Sequence, residues 1–136
     1  MTDPDQETDA IWAAMLDVYG GALAGDRRRV DAHLDPGCTF WDSHSMPLVR
    51  GLTELDGVRD ARSTDPAGTP VRFEAVRLDV RIWDGTALLI HAFRLFDDGG
   101  ATLFTARNSS VWRGSGARWS MVHDHEDVVA EEYWPA

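Results

Sequence analysis

The spacing of apolar residues predicts an amphipathic helix close to the amino terminus. Apolar side chains recur there at intervals of three and four residues: Ile11, Trp12, Met15, Leu16, Tyr19 and Leu23. Thr8 or Asp9 can cap the start of this helix, and Gly25 ends it. Two shorter helices are predicted over residues 27–34 and 51–62.

From residue 71 onward the pattern changes to runs of β-branched and aromatic residues, which are typical of strands. Turn-forming Gly, Asp and Ser residues separate four such runs: 71–83, 86–96, 101–113 and 118–125. A loop over residues 63–70 precedes them, and residues 39–41 predict a short first strand. Helices followed by an antiparallel meander predict an α+β domain in which a curved sheet wraps the first helix.

Composition and charge narrow the functional classes. The chain has 136 residues and a formal net charge of −10, which fits one domain over residues 1–136 with acidic ends at about 1–8 and 127–136. All 13 basic residues are arginine, so chemistry that needs a lysine imine is excluded. Because arginines form a run only at 27–29, nucleic acid is not expected as a partner.

Three further features concern the cellular compartment. Cys38 is the single cysteine and cannot form an internal disulfide. The acidic amino terminus lacks the basic start and the apolar stretch of a secretory signal. The apolar runs, such as the one at 87–90, are far too short to span a bilayer. We therefore expect a cytoplasmic protein with no membrane partner.

Several motifs resemble a known superfamily. The Gly25-Asp26 pair after the first helix and the segment LDPGCTFWD at 34–42 resemble the nuclear transport factor 2-like proteins, which include ketosteroid isomerase, scytalone dehydratase and the SnoaL-like polyketide cyclases. The hairpin from SVWR at 110–113 to WSMVHDH at 119–125 is similar to the association domain of calcium/calmodulin-dependent kinase and its small bacterial relatives. The resemblance implies a cone-shaped fold, a small-molecule ligand, a homodimer formed through the sheet, and no metal or other cofactor in most relatives.

The alternation of side chains along the last strand selects candidate pocket residues. Met121, His123 and His125 share one face, which we expect to point toward the helix. A turn at 114–117 would then place Ser110 opposite Met121 and Asn108 opposite His123. A slip of one residue would substitute Arg107 and Ser109 for the facing pair. The resemblance supports the first register, since an inward arginine of the kinase association domain occupies the place of Ser110 and a second matches Arg94.

Chemical roles follow from the resemblance to the ketosteroid isomerases. It implies that Asp42, in a Thr-x-x-Asp at the end of the first strand, is a general base, and that Asn108 takes the place of a protonated aspartate that stabilises an oxyanion. Tyr19 matches the tyrosine of that oxyanion site only with a one-residue shift. Two imidazoles on an inward face need partners, so His123 and His125 are also candidate acid–base groups.

Structural alternatives exist for each candidate. Asp42 could simply cap its loop, and His123 and His125 could be hydrogen-bonded core residues. The pairs Asp42-x-His44 and His123-x-His125 could instead bind a metal ion. Cys38 is expected to be a small buried side chain and not a nucleophile. Among the six tryptophans, Trp41 is the one expected to contact the ligand.

Two functional hypotheses remain open at the level of sequence. One is a cofactor-independent isomerase, cyclase or lyase that applies acid–base chemistry to a small, mostly apolar carbonyl compound. The other is a non-catalytic module that binds a small carboxylate on Arg94 or assembles through the outer face of the sheet. His33 and His91 are expected at the surface or in an interface, because His91 has the opposite parity to Arg94.

Overall fold

A computed structural model describes residues 3–43, 45–62 and 69–135. Three α-helices, six strands and a short 3-10 helix follow one another: α1 Pro4–Leu23, α2 Arg27–Asp31, β1 Leu34–Asp42, β2 Ser45–Arg50, α3 Gly51–Asp60, β3 Arg72–Trp83, β4 Thr86–Phe96, β5 Thr102–Ser115, β6 Arg118–Val129 and the 3-10 helix Glu131–Tyr133. The α+β class predicted from the sequence is confirmed. Residues 63–68 of the predicted loop lie outside the described residues.

The strands form one curved sheet in the order β2-β1-β6-β5-β4-β3. The four predicted strands form an antiparallel meander, and β1 adds to its far side in parallel with β6. The edge strand β2 was not predicted. We call the space between α1 and the concave face of this sheet the cone, and the concave face the inner face.

The core lies at the narrow end of the cone. Ile11 and Met15 of α1 are buried there against side chains from the inner face. Trp112 and Met121 are directly paired on β5 and β6 and are fully buried. The apolar stripe predicted for the first helix therefore packs on the sheet, which is the main source of stability for a helix of this kind.

The helix α1 starts one turn earlier than the sequence pattern predicts. Asp3 is its N-cap residue, and its carboxylate accepts a 2.9 Å hydrogen bond from the Asp5 backbone N–H. Pro4 at the first helical position suits this start, because proline is already fixed at a helical φ and needs no N–H partner there. Glu7, 8% exposed, accepts a 2.9 Å hydrogen bond from the Gly116 N–H and so ties α1 to the β5–β6 turn.

The predicted register between the last two strands is wrong. The turn is a tight one at residues 116–117, so that Ser115 faces Arg118 and Trp112 faces Met121. Gly116 supplies the positive φ, +58°, that such turns require. This is a shift of two residues from the predicted pairing, and a shift of two leaves every side chain on its expected face.

A β-bulge then reverses the faces of β6. The ladder runs from Trp112 opposite Met121 directly to Val111 opposite His123, and Val122 is the extra residue. One extra residue exchanges the two faces of the strand beyond it. From this point Asp124 and Glu126 lie on the inner face, whereas His123 and His125 lie on the outer face.

The faces of β4 are also the reverse of those expected. His91 is 1% exposed and lies on the inner face between Leu89 and Phe93. Arg94 lies on the outer face. The expected opposite parity of His91 and Arg94 is present, but the two residues have exchanged places.

In the part of the chain that the structure describes, no helix combines the length and the apolar character needed to cross a membrane.

Candidate functional site

A row of polar side chains crosses the inner face of four adjacent strands. The strand register places His91 of β4 beside Asn108 of β5, Asn108 beside Glu126 of β6, and Glu126 beside Asp42 of β1. Neighbouring strands lie about 4.8 Å apart, so each side chain is within reach of the next. Because the bulge at Val122 reverses the faces of β6, Glu126 lies on the same inner face as the other three residues.

A second row lies one step deeper. There Ser110 of β5 is beside Asp124 of β6, and Asp124 is beside Phe40 of β1. Asp42, Asp124 and Glu126 therefore form a group on one wall, which we call the carboxyl cluster. Neither Asp124 nor Glu126 forms an ion pair with any residue that the structure describes.

The helix α1 contributes Tyr19 to the opposite side of the cone. The Tyr19 hydroxyl lies 2.5 Å from His91 Nε2. The phenol ring stacks on Phe93 at a centroid distance of 4.5 Å and contacts Phe73 at 5.3 Å. Burial lowers the pKa of His91 to about 4, so this imidazole is neutral at neutral pH. Trp12 covers its other side, 5.5 Å away in an edge-on arrangement.

Several buried polar atoms in the cone have no hydrogen-bond partner among the described residues. They are His91 Nδ1, Asn108 Oδ1, Asn108 Nδ2 and Asp124 Oδ1. Asn108 is 4% exposed. Its side chain lies near Asp124 and acts to lower the pKa of that carboxyl, but no well-formed hydrogen bond joins the two side chains. Unsatisfied polar groups at this depth are costly and are concentrated at functional sites.

The surroundings of Asp124 and Glu126 favour protonation of these two carboxyls. Burial raises the pKa of Glu126 to about 8, and the nearby charges of Asp124 and Asp42 act in the same direction. Burial likewise raises the pKa of Asp124 to about 6. The pKa of the Tyr19 phenol is raised by burial and by both β6 acids. At neutral pH the cone thus holds one carboxyl that can donate a proton and one that can accept it, the arrangement that acid–base catalysis requires.

His123 and His125 lie on the outer face, away from the cone. His123 Nδ1 is 2.6 Å from the Thr39 hydroxyl, and burial followed by the charge of His125 lowers the pKa of His123. The ring of His125 meets Trp41 edge-on at 5.9 Å, and His125 Nε2 is 3.2 Å from Asp127 Oδ1. Both histidines therefore lie on the opposite face of the sheet from Asn108 and away from Tyr19. The sequence pattern predicts, in contrast, that these four residues share one pocket.

Trp41 and His125 border a shallow outer pocket of about 270 Å³. Its other lining residues are Asp42, Ser43 and Asp127. Asp42 is the last residue of β1 and therefore lies at the rim of the sheet. It borders this outer pocket, but it pairs with Glu126 and shares the inner face with that residue. A larger groove of about 550 Å³ runs between α1 and the start of β6 and is bordered mainly by alanines.

Arg94 is not available to a ligand in the cone. Its guanidinium donates a 2.9 Å hydrogen bond to Glu74 and lies 4.2 Å from the centre of the Trp134 ring, on the outer face. The expectation of a carboxylate bound by Arg94 inside the cone is therefore wrong in its geometry. The cause is β4 itself, which is apolar on both faces and gives no sequence signal for which face turns inward.

The remaining candidates have structural partners. Ser110 is buried on the inner face and accepts a 2.8 Å hydrogen bond from Trp112 Nε1. Met121 belongs to the core. Burial raises the pKa of the Cys38 thiol to about 12, so it is not a thiolate at neutral pH.

The metal alternative finds no support among the described residues. No three His, Cys, Asp or Glu side chains in residues 3–43, 45–62 and 69–135 are placed to share a metal ion. His44, one of the four ligands considered, lies outside these residues. The bulge also places His123 and His125 on the face opposite the carboxyl cluster.

Sequence reasoning missed Asp124, Glu126 and His91 as residues of the cone. The alternation His-Asp-His-Glu-Asp at 123–127 fits either face inward. His123 and His125 have the parity of the apolar Trp119 and Met121, and this parity predicts that the histidines face inward. A bulge leaves no mark in the sequence of one strand, because it is defined by the partner strand.

Comparison with known proteins identifies the fold. No family profile and no curated protein matches the sequence significantly. A hub domain of calcium/calmodulin-dependent kinase II from S. rosetta is 20% identical, with a TM-score of 0.67 over 89% of this chain and 95% of that chain. A ketosteroid isomerase-like protein from Erwinia carotovora is 15% identical, with a TM-score of 0.70 over 92% and 98%.

A third similar structure is an NTF-2-like protein of unknown function from Shewanella oneidensis. It is 13% identical, with a TM-score of 0.72 over 89% of this chain and 98% of that chain. Identities this low establish the shared fold and leave the chemistry to the residues of each site. The chain has the nuclear transport factor 2-like fold, as the motifs of its sequence predicted.

Proposed function

We propose that the cone binds a small, largely apolar carbonyl compound and catalyses proton transfer at the carbon next to the carbonyl group. Isomerisation, aldol-type cyclisation and dehydration all pass through such a step. The carboxyl cluster carries this proposal, because Asp124 and Glu126 combine a proton acceptor and a proton donor on one wall of the cone.

In the proposed reaction, Asp124 accepts the proton from carbon and Glu126 donates a hydrogen bond to the carbonyl oxygen. The pKa of Asp124, about 6, makes this group ionised at neutral pH and more basic than an ordinary aspartate. The pKa of Glu126, about 8, keeps that carboxyl neutral, so it can donate to the developing enolate oxygen. The Asn108 amide supplies a second donor beside Glu126.

Asp42 and Tyr19 complete the proposed site. The charge of Asp42 raises the pKa of both β6 acids, and the base role implied by the resemblance remains a prediction for this residue. Tyr19 is held by His91 at 2.5 Å and presents its ring to the apolar part of the ligand. The absence of lysine from the sequence means that carbonyl chemistry here proceeds through an enolate and not through an imine with the protein.

The test is exchange of α-protons for deuterium in a panel of cyclic and aromatic ketones, followed by proton NMR in heavy water. We expect Asp124→Asn to slow exchange by about 10²- to 10⁴-fold. Glu126→Leu, which removes the hydrogen-bond donor without leaving an amide in its place, should slow exchange by about 10²- to 10³-fold. Asp42→Asn tests the base role of that residue directly.

The matched control is Asp127→Asn, which removes an acid from the outer face one residue beyond Glu126. It should leave exchange unchanged. Exchange that is no faster with the wild-type protein than with the Asp124→Asn variant, for every ketone of the panel, would refute catalysis. Binding without exchange would favour the non-catalytic module.

A second proposed function is self-association through the outer face of the sheet. Trp41 is 47% exposed there, beside His125, and one of the similar structures is a kinase hub domain. Light scattering should show a homodimer that Trp41→Glu dissociates. Trp83→Glu, at the exposed end of β3, is the control and should leave the dimer intact, whereas a monomeric wild-type protein would contradict this proposal.

A further inference from the structure

The inner wall of the cone is strongly acidic. Asp42, Asp124 and Glu126 lie side by side on β1 and β6, and the expected arginine, Arg94, lies on the other face of the sheet. Arg62, beyond the end of α3, is a basic group whose charge reaches Glu126, but its effect is smaller than those of the two aspartates. An anionic ligand would therefore be repelled from this wall.

Two of the unpartnered polar atoms on the same wall are oxygens, which hydrogen-bond donors of a ligand would satisfy. Asn108 Oδ1 and Asp124 Oδ1 are buried acceptors with no described partner. Asn108 lies next to Glu126 in the ladder, so both oxygens and the Glu126 carboxyl converge on one region. A ligand group with several N–H donors would satisfy them together, which a carbonyl oxygen cannot do.

The remaining wall is aromatic. Tyr19 and Phe93 stack at 4.5 Å, and Phe104 meets Phe93 edge-on at 5.7 Å. Aromatic faces attract organic cations and also accept an apolar frame. Acidic and aromatic side chains on one face of the sheet form a site suited to a positively charged, partly apolar molecule.

We propose that the ligand of the cone carries a protonated amine, which binds Asp124, Glu126 and the Asn108 side-chain oxygen, while its apolar frame contacts the Tyr19 and Phe93 rings. This inference rests on the proposed function only for the location of the site.

Binding of such a cation is coupled to the release of protons. The charged groups that act on Asp124 or Glu126 are Asp42 of β1, Arg62 after α3, and His125 and Asp127 of β6. Tyr19 of α1 and His91 of β4 are further titratable groups of the cone, and Arg77 of β3 pairs with His91 in the ladder. Arg77 is held by Asp9 at 3.3 Å. An ammonium group stabilises the ionised form of Glu126, so it expels the proton that this carboxyl holds at neutral pH.

The experiment compares three probes of one shape and different charge: cyclohexylamine, cyclohexanol and cyclohexanecarboxylate. Isothermal titration calorimetry with the whole chain should show that the amine binds at least about tenfold more tightly than the alcohol and that the carboxylate does not bind. Titrations in buffers of different ionisation enthalpy should show proton release with the amine near neutral pH. Equal binding of amine and alcohol, or no proton release, would overturn the proposal.

Variants separate the carboxyl cluster from surface charge. Glu126→Gln should abolish proton release and weaken amine binding by about tenfold or more, whereas the outer-face control Asp127→Asn should do neither. An equal loss in both variants would assign the effect to general surface charge and overturn the proposal. The wild-type proton-release measurement keeps the test decisive if Glu126→Gln does not fold.

The outcome is distinguishable from that of the proposed function. Proton exchange in neutral ketones without a preference for the amine would retain the catalytic proposal and refute the cationic ligand. Amine binding with proton release but without exchange in any ketone would do the reverse.

Discussion

Replacing Glu126 by glutamine removes a buried acid while it preserves the size of the side chain. Burial and two neighbouring carboxyls raise the pKa of Glu126 from 4.5 to about 8 in the folded protein. At about 1.36 kcal/mol for each pKa unit, this difference corresponds to at most about 5 kcal/mol. Because solvent reaches the mouth of the cone and the effect is shared with Asp124, we expect about 2 kcal/mol.

The sign follows from proton linkage. A folded-state pKa above the unfolded value means that the folded protein binds the proton more tightly, so stability is highest below about pH 4.5 and falls as the pH rises toward about 8. Glutamine cannot ionise and removes this fall. The free energy of unfolding of Glu126→Gln, relative to wild type, should therefore increase by about 2 kcal/mol between about pH 5 and about pH 9.

Urea denaturation followed by tryptophan fluorescence measures this difference at each pH. The outer-face variant Asp127→Asn controls for the loss of one negative charge and should show a difference that changes little with pH. If the difference between Glu126→Gln and wild type stays constant within about 0.5 kcal/mol over the same range, Glu126 is not buried in the cone and the reasoning is refuted.

Three further substitutions test the fold around the site, each by the free energy of unfolding in urea. A Cβ at Gly114 would collide with the backbone of the facing strand β6, so Gly114→Ala should cost about 2–3 kcal/mol. The control is Gly57→Ala, where a Cβ meets nothing within 4 Å, and it should stabilise the protein by about 0.5–1 kcal/mol. Equal effects of the two substitutions would contradict the close approach of β6 to Gly114. Glu7→Ala leaves the buried Gly116 N–H unpaired and should cost about 1–3 kcal/mol, whereas no loss would show that this contact is not formed. Arg94→Ala breaks a partly exposed ion pair on the outer face and should cost about 1 kcal/mol without changing amine binding, whereas tighter amine binding, as expected when a competing cation is removed, would place the arginine in the cone.

The elements that depend on local signals could be predicted from the sequence. The stripe of α1 and the three hairpin turns are encoded by residues that are close in the chain, and their strands appear within a few residues of the predicted bounds. The strand β2 was missed because Pro47 interrupts it. An edge strand tolerates such a residue, since one side of it needs no ladder hydrogen bonds.

The composition of the site could not be predicted, because it depends on a contact between two strands. The face of Asp124 and Glu126 is set by the bulge at Val122, and that of His91 by which side of an apolar strand meets α1. Asp42 was found through the motif at the end of β1, and Tyr19 and Asn108 through the same resemblance. Motifs in the sequence thus point to Asp42, Tyr19 and Asn108 as candidates, whereas no motif points to His91 or to the β6 acids beyond the bulge.

Asp124 and Glu126 lie on the inner face of the sheet as a coupled pair of acids. Carbon-13 NMR of the side-chain carboxyl groups, followed through a pH titration of the whole chain, can detect this pair. We expect two carboxyl titrations at about 6 and about 8, with the second absent from Glu126→Gln. Titration of both groups at about 4, the ordinary value for exposed Asp and Glu, would contradict it.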